Sequence, residues 1–240
     1  MKRLATFSIA CALLAVAAPA IAKKKDKPAK SVCNGGIPVV LGNVWTYKSG
    51  KTTVLIRIAD IKSKDGKTLV SVEEKTNDRA LSLTWTCTKE GMTVPADSFF
   101  FVGEPGGGAG DTLTEKSHDG VTFPKDLKVD TAFVEKVTGE VARTDVAGGK
   151  VVHPPATVEI ERHVLIEKAQ PIEIGMGKAE AIKVGFELRG RSTVGAEKIE
   201  FAIKRPGTAW IMPGLGVLKM EDANDHTYEL IQTTIPFSKE

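Results

Sequence analysis

The chain predicts a mainly β protein, on three observations. Apolar residues alternate with polar ones at period two in short runs between Trp45 and Leu230, the pattern of strands with one buried and one wet face. Turn-forming pairs punctuate the runs: Asp65-Gly66, Glu90-Gly91, Asp119-Gly120 and Gly148-Gly149. Helical periodicity is all but missing, with only Ala179 to Ile182 having any helical flavour.

The chain opens on an address. Lys2 and Arg3 precede an apolar run from Leu4 to Val16, and Ala20-Ile21-Ala22 has the small-x-small pattern that signal peptidase cleaves. The run is short of the roughly 20 residues needed to cross a bilayer. It reads as a secretory signal peptide over residues 1–22, cleaved after Ala22, which places the protein in the periplasm or outside the cell with no transmembrane segment in the mature chain. Ser8-Ile9-Ala10 is a poor lipobox for Cys11, so the mature protein is expected to be soluble.

Residues 23–32 (KKKDKPAKSV) hold nothing to bury and read as a disordered basic tail, either a solubilising leader or a tether to anionic surfaces. Residues 33–240 read as a single β-rich domain. The formal charge of +3 falls to +1 once Lys2 and Arg3 are removed, and the remaining excess is concentrated in the tail. A nucleic-acid binder would carry that charge on its folded face, so nucleic acid is excluded as a partner. Two cysteines remain after cleavage, Cys33 and Cys87. In an oxidising compartment an isolated pair predicts one disulfide, worth roughly 4 kcal/mol at most.

The strands then follow in order. Trp45 and Tyr47 share one face of the first. Val54, Ile56 and Ile58, then Val70 and Val72, then Leu81, Leu83 and Trp85 define the next three. Phe99-Phe100-Phe101, read as strand, puts rings on both faces and leaves at least one partly exposed. Gly103 to Asp111 (GEPGGGAGD) is a glycine loop; it lacks the Lys-Ser/Thr and the following helix of a phosphate-binding loop. Beyond it and the Val141 to Pro155 segment come Val158 and Ile160, Val164 and Ile166, then Ile182, Val184, Phe186 and Leu188. Ile199, Phe201 and Ile203, with Trp210 further along, and Tyr228 with Leu230 close the series. Arg162 interrupts an otherwise apolar face. It must be paired or look into a wet cavity, unless a bend or bulge turns it outward.

Catalytic and metal-binding motifs are not found. His118, His153, His163 and His226 have no ligand spacing and read as surface residues. No G-x-S-x-G elbow occurs, and carboxylates such as Glu73-Glu74 and Glu159/Glu161 fall where solvated strand faces put them. A carboxylate pair of glycosidase type would form only in three dimensions. No catalytic residue, metal or cofactor is assigned.

Two segments carry a family likeness. Pro38-Val39-Val40-Leu41-Gly42-Asn43-Val44-Trp45-Thr46-Tyr47 and Trp210-Ile211-Met212-Pro213-Gly214-Leu215-Gly216-Val217-Leu218-Lys219 resemble the start and end of bacterial exported proteins and lipoproteins of unknown function. Those proteins begin P-x-x-x-G-N-x-W-x-Y, end W-x-x-P-G-x-G-x-x-K, and are similar in architecture to the lipoprotein carriers LolA and LolB. Trp85 to Gly91 also looks like their strand-turn segment. The resemblance spans most of residues 36–235 and implies a strongly curved antiparallel sheet, a half-barrel whose concave face can hold lipid. On this reading the chain is a non-enzymatic exported protein that binds a lipid or other apolar small molecule. Trp45, Tyr47, Phe186, Phe201 and Trp210 are then the candidate walls and Arg162 a candidate polar contact. The alternatives are a structural module that meets another envelope protein, and a hydrolase whose site forms on folding.

Overall fold

The computed structural model describes Ser31, Cys33 and residues 35–103, 111–143, 156–194, 199–222 and 224–236. The expected signal peptide and its cleavage site after Ala22, most of the expected basic tail, the 104–110 segment, the Gly148-Gly149 pair and His153 lie outside the described residues.

The strands are β1 (Val44–Ser49), β2 (Thr52–Lys64), β3 (Lys67–Lys75), β4 (Ala80–Cys87), β5 (Gly91–Thr93), β6 (Asp111–Asp119), β7 (Phe123–Pro124) and β8 (Thr131–Arg143). They continue with β9 (Ala156–Ile174), β10 (Gly177–Val194), β11 (Ile199–Met212), β12 (Gly216–Glu221) and β13 (Thr227–Thr233); a single helical turn, α1 (Phe99–Val102), follows β5. All lie in one antiparallel sheet in the order β6-β8-β9-β10-β11-β12-β13-β1-β2-β3-β4-β5-β7. The sheet is curved but not closed, as the mainly β, half-barrel expectation has it.

The turns follow local chemistry. Asp65 and Gly66 both take positive φ (52° and 73°) between Lys64 and its partner Lys67, the left-handed pair that matches strand twist in a two-residue hairpin. β1 is slotted between β2 and β13, and there the two family-like segments meet. The Trp45 indole Nε1–H donates to Leu215 O at 2.9 Å, and the Tyr47 hydroxyl donates to Val217 O at 2.8 Å. Gly216 lies between those carbonyls at φ 108°, where a Cβ would stand 3.3 Å from Trp45 Nε1. The Cys33 and Cys87 Cα atoms are 5.5 Å apart, a disulfide-bonded pair.

The aromatic triplet differs from its reading as strand. Ser98 caps a helical turn, accepting from Phe100 N–H, and Gly103 ends it in the left-handed conformation at φ 76°. A helical turn fans the three rings apart instead of alternating them, and all three are fully buried. Phe99 meets Tyr47 and Tyr228 at 5.1 and 5.3 Å between ring centroids. Phe100 meets Trp85 at 5.5 Å, and Phe101 meets His118 at 5.9 Å. Each buried ring contributes roughly 1.5–3 kcal/mol, so α1 is the stopper of the concave face.

Candidate functional site

The expected walls do not share one surface. Trp45 and Tyr47 face inward with no exposure and are fastened by the hydrogen bonds above. Phe186 also faces inward, its ring lying where a Cβ on Gly207 would be. Trp210 lies on the other side. Its register partners are Lys183 and Lys219, while Ala209 and Ile211 take the inner face, and Lys219 Nζ stands 4.8 Å from the centre of its ring. Trp210 is nonetheless buried and packs within the core cluster. Phe201 belongs to β11, but its side chain is outside the described residues. Among the described residues, a partly open pocket of about 10 Å³ lies at the concave face, bounded by Phe100, Phe123, Phe133, Arg162, Val184 and Ile211 among others. That is room for about one water molecule.

Arg162 points inward along an unbroken stretch of strand. It is 2% exposed and pairs in register with Glu135 on β8 and Leu188 on β10, so no bend or bulge turns it out. Its guanidinium lies 4.7 Å from the Phe186 ring centre and 5.6 Å from that of Phe101. Its Nη1 donates to Glu135 Oε2 at 3.4 Å and to Thr122 O at 3.5 Å, whereas its Nε is buried with no partner among the described residues. Burial lowers its pKa and Glu135 opposes the shift.

Glu135 is fully buried and more closely held by its other partners. The Thr122 hydroxyl donates to Oε1 at 2.5 Å, and His118 Nε2 lies 2.7 Å from the same oxygen. His118 Nδ1 is 3.2 Å from Glu115 Oε2. His118 is therefore no surface residue. Glu115 and His118, three apart, would face opposite ways on a regular strand, but the register shifts between Glu115 and Ser117 and brings both inside. Burial pulls the His118 pKa down, yet the bonds to Glu115 and Glu135 outweigh it and push it up to about 9. An imidazolium so held cannot act as a general base near neutral pH. Arg162, His118, Glu135 and Glu115 form a balanced ion cluster of two cations and two anions.

A second buried carboxylate lies across the concave face. Glu73 faces solvent and reaches Arg57 at 3.9 Å; the residue after it must face inward, and Glu74 is 4% exposed. Its Oε1 accepts the Ser98 hydroxyl at 2.5 Å and its Oε2 accepts the Phe99 N–H at 2.9 Å. Burial pushes the Glu74 pKa up to about 7 against those two bonds, with Asp97 adding to the rise. On the outer face, Ala132, Val134, His163, Leu165, Gly185 and Glu187 line an open groove of about 480 Å³, in which Val134 and Leu165 are 43% and 48% exposed.

Sequence reasoning found Arg162 and missed Glu135, His118, Glu115, Thr122 and Glu74. The usable signals were the apolar face broken by Arg162, which demands a counter-ion, and the Glu73-Glu74 pair, of which one must face inward on a half-buried strand.

The geometry defines a class: an open, curved, all-antiparallel sheet with a stoppered concave face and a buried ion cluster. No protein-family model and no curated protein matches the chain. Among solved structures, the fold is shared with a protein of Parabacteroides distasonis ATCC 8503 classed as a lipoprotein. That protein is 16% identical, with a TM-score of 0.53 over 84% of this chain and 99% of the other. It is also shared with a protein of Bacteroides fragilis NCTC 9343 classed as exported, with a YmcC-like fold: 12% identical, TM-score 0.54, covering 84% of this chain and all of the other. At such identities the likeness is one of fold. The chain shares the fold of these two proteins. No helix of the described residues is long and apolar enough to cross a membrane.

Proposed function

We propose that the protein is a non-enzymatic exported binding protein whose concave face takes an apolar or lipid-like ligand in place of the α1 stopper. One observation carries this reading. The inner face presents aromatic surface from Tyr47, Trp85 and Phe186, and the rings that cover it come from the short α1 segment, not from a second layer of sheet. In the closed form the pocket of about 10 Å³ holds no lipid, so binding requires α1 to move. Arg162 then offers a polar contact beside Phe186. The closed ion cluster, with His118 held as a cation, supports a non-catalytic role.

Native mass spectrometry of protein purified from the periplasm, with and without added long-chain fatty acid, tests the reading. A lipid-sized adduct on the folded monomer is the expected result. No adduct, together with no uptake of fatty acid, overturns it. The outer groove at Val134 and Leu165 would then favour a module that meets another envelope protein.

A further inference from the structure

Residues Val94–Gly103 cross the concave face as a strap. Among the described residues, the strap's backbone-to-backbone hydrogen bonds are internal: Ser98 N–H to Pro95 O, Phe101 N–H to Ser98 O and Gly103 N–H to Phe99 O, each at 2.9 Å, and Val102 N–H to Ser98 O at 3.2 Å. Its hydrogen bonds to the rest of the molecule end on side-chain oxygens, while its three rings pack on Tyr47, Trp85, Tyr228 and Phe123. The Val94 N–H donates to Thr122 Oγ1 at 3.0 Å and the Ala96 N–H to Glu115 Oε1. Phe99 N–H and the Ser98 hydroxyl go to Glu74. Glu74 stands on β3, near one margin of the sheet, and Glu115 on β6, at the other. The strap's ends are marked too: Thr93 is the last residue in the ladder, paired with Thr86, and Gly103 has positive φ.

We propose that Val94–Gly103 is a hinged strap that leaves the concave face as a unit, with the β ladder intact, and that ionisation of Glu74 releases it. Its use as a gate rests on the ligand reading above; the motion itself needs no ligand.

A strand cannot leave a sheet without orphaning its neighbours' N–H and C=O groups, whereas the strap leaves the ladder whole. The two carboxylates then act differently. Glu74 is flanked in register by Ile56 and Leu81, and the titratable groups acting on it are Asp97 of the strap and Tyr47 of β1, neither a cation. Opening the strap admits water to Glu74, so its charged form favours the open state. Glu115 lies against the His118 imidazolium, which keeps its charge across neutral pH; because the strap lifts as a unit, the Ala96 bond to Glu115 breaks in the same opening. Glu74 is the tie whose ionisation drives that opening as pH rises.

Hydrogen exchange on the mature, disulfide-intact protein tests this at about pH 5.5 and about pH 8, with rates corrected for the intrinsic effect of pH. A group moving from an ordinary carboxyl value to about 7 in the closed form makes opening roughly 30-fold more frequent at the higher pH. The Ala96 and Phe99 amides should lose about that much protection, while Ile56 and Val72 keep theirs. In Glu74→Gln the fold-change should disappear. Strap and sheet amides exchanging together at both pH values would overturn the hinge, and an unchanged pH ratio in Glu74→Gln would overturn the trigger. Should that variant not fold, Ser98→Ala removes one tie at the same end and should speed Phe99 exchange at both pH values; no change would also overturn the hinge. A strap that opens in a protein that takes up no fatty acid removes the ligand reading and leaves this one standing.

Discussion

Glu135→Gln removes the anion at the centre of the buried cluster while keeping its shape. Glu135 is fully buried and faces three donors: Thr122 at 2.5 Å, His118 at 2.7 Å and Arg162 at 3.4 Å. The substitution leaves Arg162 and His118 facing Glu115 alone, an excess of one positive charge in the interior. Breaking a buried pair in this way costs about 3–5 kcal/mol, most of it for the charge left uncompensated. Urea unfolding of the mature protein near pH 6, followed by tryptophan fluorescence, measures the loss. The charge argument makes a second demand. Arg162→Met removes the orphaned guanidinium, so the double variant Glu135→Gln/Arg162→Met should recover at least about 2 kcal/mol of what the single variant loses. A Glu135→Gln cost below about 1 kcal/mol, or strict additivity in the double variant, would refute the cluster as an ionic unit.

Three further outcomes are expected. Stability should fall as pH rises from about 4.5 to 7, because folded Glu74 keeps a proton that the unfolded chain gives up; the change is roughly 3 kcal/mol, read by urea titrations across that range and lost in Glu74→Gln. His118, also raised, stabilises fully below its ordinary value near 6.5 and loses that contribution as pH climbs through about 9; solvent screening at this partly open site reduces it to about 1–2 kcal/mol, and His118→Gln should flatten that limb. Tyr47→Phe strands the buried Val217 carbonyl and should cost about 1–2 kcal/mol in the same assay, while the Cys33–Cys87 bond requires free-thiol counts before and after reduction to differ by two.

Much of the sheet was legible because period-two alternation is a local signal. Val54, Ile56 and Ile58 are all fully buried on β2, as their spacing requires. What escaped was set by register or by single-residue irregularities. Glu135 and Arg162 are cross-strand partners joined through a connection outside the described residues, and nothing in the spacing of 135 and 162 announces it. The register shift near Lys116 reversed the expected face of His118. Trp210 reads as core and is buried, but on the opposite face of β11 from Ala209 and Ile211, in register with two lysines. The triplet Phe99-Phe100-Phe101 favours strand by propensity; the cues against it were Ser98 before and Gly103 after, a cap and a stop around a single turn. Arg162 was legible as an anomaly, though not as to what would answer it.

The clasp between Trp45, Tyr47 and the Leu215–Val217 segment also governs the order in which the molecule can assemble. β1 is laid against β13 on one side and β2 on the other, and its two aromatic donors find their acceptors 170 residues further along the chain. A polypeptide that emerges amino-terminus first can form the β2–β4 meander early, but its first strand stays half-paired until almost the last strand has appeared. Closing so long a loop is slow, and meanwhile β1 presents a bare edge carrying Trp45 and Tyr47 to any neighbour. The interval before the carboxyl-terminal hairpin arrives is thus when this protein is most exposed to aggregation, and when a holding chaperone would have most to protect.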